Sequence, residues 1–371
     1  MLRELYFFIG TEAEIMKMFT VIRRAKEAGF VCKVVSSGQN DIKDSPFLAL
    51  CDSKIDVDFS MYRPIHKTGV NLIKWLLRTL RLGRRRMRKL ASEYPKDRPP
   101  VLVVHGDTLS TLMGAMIARW AGMPHVHVEG GLRSYHWLNP FPEEIDRYFS
   151  SRKAEIVFCP SAESAEAARR SFRGEAVDTV YNTNIETLQY ARRVNGRRGA
   201  SDRLYPGNYF VVALHRQENL ISRKFMAQAV HSIGVLAKKI HCVFICHEQT
   251  RVILEKYGLL ETLENDPNIT MVPRMSYLDF IDAVDKAEFL AADGAGNQQE
   301  MYYMGKPYLI LRGHFEKQGE GQGYNCVGYN GDFRLLERFD QEYPKYRHSW
   351  IEPETLPSEI IVKKLLERYG T

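Results

Sequence analysis

The stretch from Val101 to Arg147 most constrains what this chain can fold into, because apolar runs there end in polar turns that carry ionisable side chains. It holds Val-Leu-Val-Val-His-Gly-Asp-Thr at 101–108, His-Val-Glu-Gly-Gly-Leu-Arg at 127–133 and Pro-Phe-Pro-Glu-Glu-Ile-Asp-Arg at 140–147. A short β-branched and aliphatic run predicts a buried parallel strand, and Gly-Asp-Thr predicts a turn into a helix starting near Leu109. Asp107 is thereby placed at the carboxyl end of one strand, and Glu129 at the end of the next, Pro124–Val128. In open parallel sheets ligands bind outside those ends, where the strand order reverses.

The same strand–turn–helix unit recurs along the chain. Strand Leu5–Phe8 leads through Gly10-Thr11 into helix Glu14–Ala28, and strand Val31–Val35 ends at Ser36-Ser37-Gly38-Gln39. Such βαβ units imply a parallel sheet with right-handed crossovers. The pattern weakens between Pro46 and Val101. It resumes with strand Ile156–Cys159, a helix capped by Ser161 and strand Val177–Tyr181. A polar, basic, Gly/Pro-marked connection spans Asn195–Asn208. A second series follows: strands Tyr209–Leu214, Cys242–Cys246, Ile269–Val272, Phe289–Ala292 and Tyr308–Leu311, with helices Lys224–Lys239 and Tyr277–Lys286. With 371 residues, two domains are expected. They are placed at 1–174 and 175–357, with a C-terminal helix, 358–371, packing back on the first.

Hydrophobic residues make up 44% and charged residues 26% of the chain, which suits a water-soluble globular protein. No run approaches the roughly 18 apolar residues that span a bilayer, and the start lacks a signal-peptide pattern, so a cytoplasmic location is expected. The six cysteines are scattered and read as small buried hydrophobes. Cys242, Cys246 and His247 are not expected to form a metal site. The net charge of +7 is concentrated in Lys74–Ala91. That segment reads either as a basic amphipathic helix for an anionic membrane surface or as a peripheral helix whose apolar stripe packs on the sheet. It lacks the aromatic-interleaved basic pattern of a nucleic-acid binder.

In the second half the strand ends again carry polar groups: His215-Arg216-Gln217-Glu218-Asn219, His247-Glu248, and Asp293 to Glu300. Gly294 and Gly296 let a ligand approach the backbone, and the helix they open offers free N–H groups to an anion such as phosphate. Two such domains, parallel sheets facing a central cleft, would set Asp107, Glu129 and Glu143 on one wall and His215, His247 and Glu300 on the other. Crowded carboxylates push their pKa values apart, which suits paired acid–base chemistry. The plainer reading makes each one a cap or a loop ion pair.

Taken together, the motifs resemble those of the UDP-N-acetylglucosamine 2-epimerase family. They run in order: Gly10-Thr-x-x-Glu14-x-x-Lys17-Met18, Ser37-Gly38-Gln39, Val104-His-Gly-Asp-Thr108, His127-Val-Glu-x-Gly-Leu-Arg133, Pro140-x-Pro-Glu-Glu-x-x-Arg147, Asn182-Thr183, His215-Arg-x-Glu-Asn219, Asp293-x-x-Gly-x-Gln-x-Glu300 and Gly305-Lys-Pro307. The resemblance implies an α/β fold of two Rossmann-like domains, the glycosyltransferase-B fold, and a UDP-sugar substrate processed for surface polysaccharide precursors. It implies catalytic roles for Asp107, Glu129, Glu143 and His215, the three carboxylates at sugar C1–C2, with His215 and Lys17 also facing the diphosphate. Gly10, Arg133, Arg147, Arg216, Asn219, His247, Gly294, Gly296 and Lys317 would contact substrate, and Glu300 would accept from the ribose hydroxyls. No metal or redox cofactor is implied, and a homodimer is.

The chain also departs from the family pattern. Glu12 and Ala13 replace the Arg and Pro after Gly-Thr, Gly294 replaces a Ser, Lys317 an Arg, and Asn40 the His after Gly-Gln. The rival reading is a glycosyltransferase of the same fold, seated on a membrane by Lys74–Ala91.

Overall fold

The computed structural model describes residues 2–60, 69–133, 135, 143–196, 204–312 and 323–370. The chain forms two compact units, Met1–Thr187 with Pro353–Thr371, and Leu188–Glu352.

The first unit is built on a seven-stranded sheet: β1 (Leu5–Ile9), β2 (Cys32–Ser36), β3 (Ile55–Asp58), β4 (Val101–His105), β5 (His125–Val128), β6 (Ile156–Cys159) and β7 (Glu175–Asp178). Its order is β3-β2-β1-β4-β5-β6-β7, and every pairing is parallel. The central strands are buried along their whole length, which is why β1, β4 and β6 read as near-continuous apolar runs, whereas β5 alternates His and Val. The strand order reverses between β1 and β4.

Helix Gly69–Ala91 turns Trp75, Leu80 and Met87 inward, into a cluster with Phe8, Val104, Met113 and Ile117. Its Gly83 lies so close to helix Leu109–Ala121 that a Cβ would sit 2.4 Å from Ile117 Cδ1. Trp75, Leu80 and Met87 of the basic segment are therefore covered by protein, while Ile73 and Leu77 stay exposed. No helix among the described residues is long and apolar enough to cross a membrane.

The last helix, Pro357–Tyr369, also belongs to the first unit. Arg24 Nε donates to Ser358 Oγ (2.8 Å), Ser358 donates to the buried Glu186 from both its amide and its hydroxyl (2.7 Å each), and the Tyr369 hydroxyl donates to Glu155 (2.9 Å).

The second unit has a six-stranded parallel sheet: β8 (Tyr209–Ala213), β9 (His241–Cys246), β10 (Ile269–Pro273), β11 (Leu290–Ala292), β12 (Tyr308–Ile310) and β13 (Cys326–Gly328), ordered β10-β9-β8-β11-β12-β13. The order reverses between β8 and β11. Phe210 stacks on Phe289 at 5.0 Å in its core, and Cys242 and Cys246 are buried in the same cluster.

Two strands were not anticipated from sequence, β3 and β13. The strand expected at Val177–Tyr181 is instead Glu175–Asp178 and pairs with β6, so residues assigned by sequence to the second domain lie in the first sheet.

Candidate functional site

In the first unit the turns after β1 and β4 flank the reversal point, and Glu14 staples them together. Thr11 caps helix Glu12–Glu27 by accepting from the Glu14 amide. One carboxylate oxygen of Glu14 accepts from the Gly10 and Thr11 amides (2.5 and 3.3 Å), and the other from the Thr108 hydroxyl (2.5 Å). Burial pushes this carboxyl above its usual range, and the hydrogen bonds oppose that shift. The turns approach so closely that a Cβ on Gly10 would lie 2.0 Å from Ser110 Oγ. Gly10 is therefore needed for packing.

Glu129 follows β5 with φ +61°, a left-handed conformation rare for a branched-free but bulky side chain. Its carboxylate meets Lys17 Nζ at 2.7 Å, and His105 Nε2 lies 3.0 Å from the same oxygen. Lys17, expected at a diphosphate, is thus paired with a carboxylate of its own unit. Glu12 accepts a hydroxyl hydrogen bond from Ser45 (2.8 Å), the residue that caps helix Pro46–Leu50. The carboxylate that replaces the family's cation is engaged by protein.

Asp107 is held by Arg147, whose two nitrogens reach the same oxygen at 2.7 and 2.9 Å. Behind it, fully buried His127 bridges Gly106 O and Ser151 Oγ, both at 2.7 Å. The carbonyl can only accept, so Nε2 carries the proton and Nδ1 accepts from Ser151. Burial drives His127 down to about 4, which keeps the ring neutral as this bridge requires.

Helix Glu143–Ser151 brings three more carboxyls to this side of the sheet. Glu143 has a buried oxygen, Oε2, without a hydrogen-bond partner among the described residues. Glu144 is fully buried and takes Arg133 Nε at 2.6 Å, while the Arg133 guanidinium lies 5.0 Å over the rings of Tyr135 and Tyr148. Arg133, expected at the ligand, is held by Glu144 and by the two aromatic rings. Asp146 is 3% exposed. Its pKa is pushed up to about 7, first by burial and then by the charges of Asp107 and Glu143. Sequence reading passed over Asp146. The available signal was its place three residues after Glu143 on one helical face.

In the second unit, Asp293 ends β11 and crosses the reversal point to the loop after β8. Its buried carboxylate accepts from the amides of His215 (3.0 Å) and Arg216 (3.1 Å) and from Asn219 Nδ2 (3.0 Å), which also reaches Leu311 O (2.9 Å). His215 stacks on His247 with ring centroids 5.1 Å apart. Burial lowers both pKa values. The nearby Arg216 and Arg274 add to this for His215, against Asp293, and His215 and Arg274 add to it for His247.

Gly294 caps helix Ala295–Met304 without a side-chain hydrogen bond, leaving its first N–H groups unclaimed by a cap. The Tyr308 hydroxyl fixes this turn by donating to Gly294 O (2.9 Å). A Cβ at 294 would sit 2.1 Å from Asn297 Oδ1, so Asn297 occupies the space where the family's Ser would project. A Cβ at Gly296 would meet nothing within 4 Å. Glu300, on the same helix, is 7% exposed and lies beside Tyr277, whose hydroxyl is pushed well above its usual range by burial and by that carboxylate. Lys317 lies outside the described residues.

The family model for UDP-N-acetylglucosamine 2-epimerase matches residues 27–327. The chain belongs to that family. Its relatives include the UDP-N-acetylglucosamine 2-epimerases of Neisseria meningitidis, 26% identical over 96% of this chain and 98% of that protein, and of Methanocaldococcus jannaschii, 25% identical over 94% of each. Among solved structures, the N. meningitidis enzyme bound to UDP-GlcNAc aligns with TM-score 0.80 at 23% identity, over 98% of this chain and all of that one. The M. jannaschii enzyme in complex with UDP-GlcNAc and UDP aligns at 0.76 and 22% identity, over 98% of this chain and 99% of that one. The epimerase-family fold of this chain is accordingly glycosyltransferase-B-like, with two α/β units, each built on a parallel sheet.

Proposed function

We propose that this chain is a UDP-N-acetylglucosamine 2-epimerase-like enzyme that acts at C2 of a UDP-N-acetylhexosamine. The observation that carries this reading is the set of fixed carboxylates at the ends of β4 and β5, Asp107 on Arg147 and Glu129 on Lys17, in a chain of the epimerase family.

The C2 hydrogen of such a sugar is not acidic, so its removal is coupled to departure of UDP from C1. The C1–O bond breaks with its electron pair leaving on UDP, the C2–H pair becomes the C1–C2 double bond, and the proton passes to a carboxylate. Asp107, Glu129 and Glu143 are assigned to the oxocarbenium-like ring and the proton. His215, Arg216 and the open end of helix Ala295–Met304 are assigned to the diphosphate. Return of UDP to the glycal with a proton on the opposite face gives the epimer, whereas addition of water at C1 releases the free N-acetylhexosamine. The family resemblance supports a homodimer, to be checked by light scattering.

Proton NMR of the protein with UDP-N-acetylglucosamine in heavy water tests the reading. Deuterium at C2 is the expected result. A sugar that exchanges nothing and is consumed only with an added acceptor would replace epimerisation by glycosyl transfer.

A further inference from the structure

The helix Gly69–Ala91 contains eight cations and no carboxylate: Lys74, Arg78, Arg81, Arg84, Arg85, Arg86, Arg88 and Lys89. Its inward face is already spent on Trp75, Leu80 and Met87. At 100° per residue, Ile73, Leu77, Arg81, Arg84 and Arg88 fall on one outward stripe, spaced i, i+4, i+8, i+11, i+15. All five are exposed, Ile73 by 57% and Leu77 by 62%. Among the described residues, Arg81, Arg84, Arg85, Arg88 and Lys89 form no ion pair, and together with Ser92 they line one shallow depression. Like charges at i, i+4, such as 81 with 85 and 84 with 88, repel one another along the helix. A polyanion would relieve this repulsion by pairing with the cations, whereas water and salt only screen it.

We propose that the outward face of Gly69–Ala91 docks on an anionic phospholipid bilayer surface, with Ile73 and Leu77 entering the headgroup layer and the arginines on lipid phosphates. The exposed aliphatic pair on the same stripe favours lipid over nucleic acid, which would take the arginines and leave the pair in water. A second copy of the chain fits the face poorly, because pairing it with itself would set eight cations against eight. The protein would then work at the membrane surface through this helix, and the inference holds whichever reaction the enzyme catalyses.

Flotation of the full chain with vesicles tests this. Wild type is expected to float with phosphatidylglycerol–phosphatidylcholine vesicles at low salt, to stay in solution with phosphatidylcholine alone, and to be released as salt shortens the Debye length to about 3 Å. Each cation removed should lower partitioning about fivefold, so Arg81→Glu with Arg84→Glu and Arg88→Glu should abolish flotation, with the circular dichroism spectrum unchanged. Ile73→Ser with Leu77→Ser should weaken flotation while leaving the solution mass unchanged. Wild type that fails to float at low salt overturns the proposal, as does flotation indifferent to the three reversals. Flotation of the serine variant as strong as wild type, with tight binding of duplex DNA by both, overturns the lipid assignment in favour of nucleic acid. A fall in solution mass for the serine variant assigns it to an interface between copies.

Discussion

Lys17 Nζ lies 2.7 Å from Glu129 Oε2 across 112 positions of sequence, and Glu129 holds a left-handed backbone at that contact. A Glu at positive φ costs about 1–2 kcal/mol, and the ion pair, made by side chains only 17% and 8% exposed, offsets part of that cost. The pair fixes a carboxylate beside the end of β5 before any substrate arrives. Local backbone strain concentrated at such a position is typical of residues whose placement serves chemistry.

Glu129→Gln keeps the shape and removes the charge. It should lower kcat by about two to four orders of magnitude and also lower the thermal midpoint, because the amide oxygen still accepts from Lys17 but no longer balances its charge. Epimerisation rates and calorimetric melting on the same preparation check this. Activity within a few-fold of wild type would remove Glu129 from the reaction.

Asp146 gives stability a pH dependence. Its folded-state pKa is raised, from 3.8 to about 7, so the folded protein holds this proton more tightly than the unfolded chain does. The contribution is fully present below about pH 4 and is lost as pH rises through about 7, a difference on the order of 4 kcal/mol. Asp146→Asn should therefore raise the melting temperature at pH 8 relative to wild type and leave the two alike near pH 4. Parallel melting curves across that range would show that Asp146 titrates normally.

Asp293 accepts from two backbone amides and a side-chain amide on the loop after β8. Asp293→Asn replaces one acceptor oxygen by an NH2 facing other donors, which should destabilise the second unit by about 2–3 kcal/mol. Loss of the fixed His215 loop should weaken UDP binding by about tenfold or more in calorimetry. Unchanged UDP affinity would separate this loop from the nucleotide.

Glu12 spends its carboxylate on Ser45, so it is turned to protein. Glu12→Arg should leave UDP affinity equal or tighter, since a cation then replaces an anion near the turn after β1. If the change instead abolishes turnover while UDP still binds, Glu12 reads a group on the substrate.

The strands that sequence misplaced are edge strands. β3 (Ile-Asp-Val-Asp), β7 (Glu-Ala-Val-Asp) and β13 (Cys-Val-Gly) each have one neighbour, and none shows the aliphatic run of a strand buried on both faces. Central strands such as Val101–His105 and Ile156–Cys159 were legible because burial on both faces forces continuous apolar residues. Asp107 was legible for the same reason, since it follows such a run, and Glu129 because it lies between the short strand His125–Val128 and a Gly-Gly turn. Their partners were not. Arg147 lies 40 positions from Asp107 and Lys17 lies 112 from Glu129, and only the folded chain brings them together. The place of Asp146 three residues after Glu143 was legible in sequence, but its raised pKa was not, because burial and the charges of Asp107 and Glu143 belong to the folded environment.

The helix Pro357–Tyr369 closes the first unit, yet all of Leu188–Glu352 precedes it in the chain. During synthesis Arg24, Glu155 and Glu186 emerge early and wait for Ser358 and Tyr369 until the second unit has left the ribosome. The usual order, in which the N-terminal domain finishes first, is therefore inverted here: the second unit is one contiguous segment and can complete itself, while the first is finished last. Because closure entropy grows only with the logarithm of loop length, the long detour costs little at equilibrium and is felt mainly as delay.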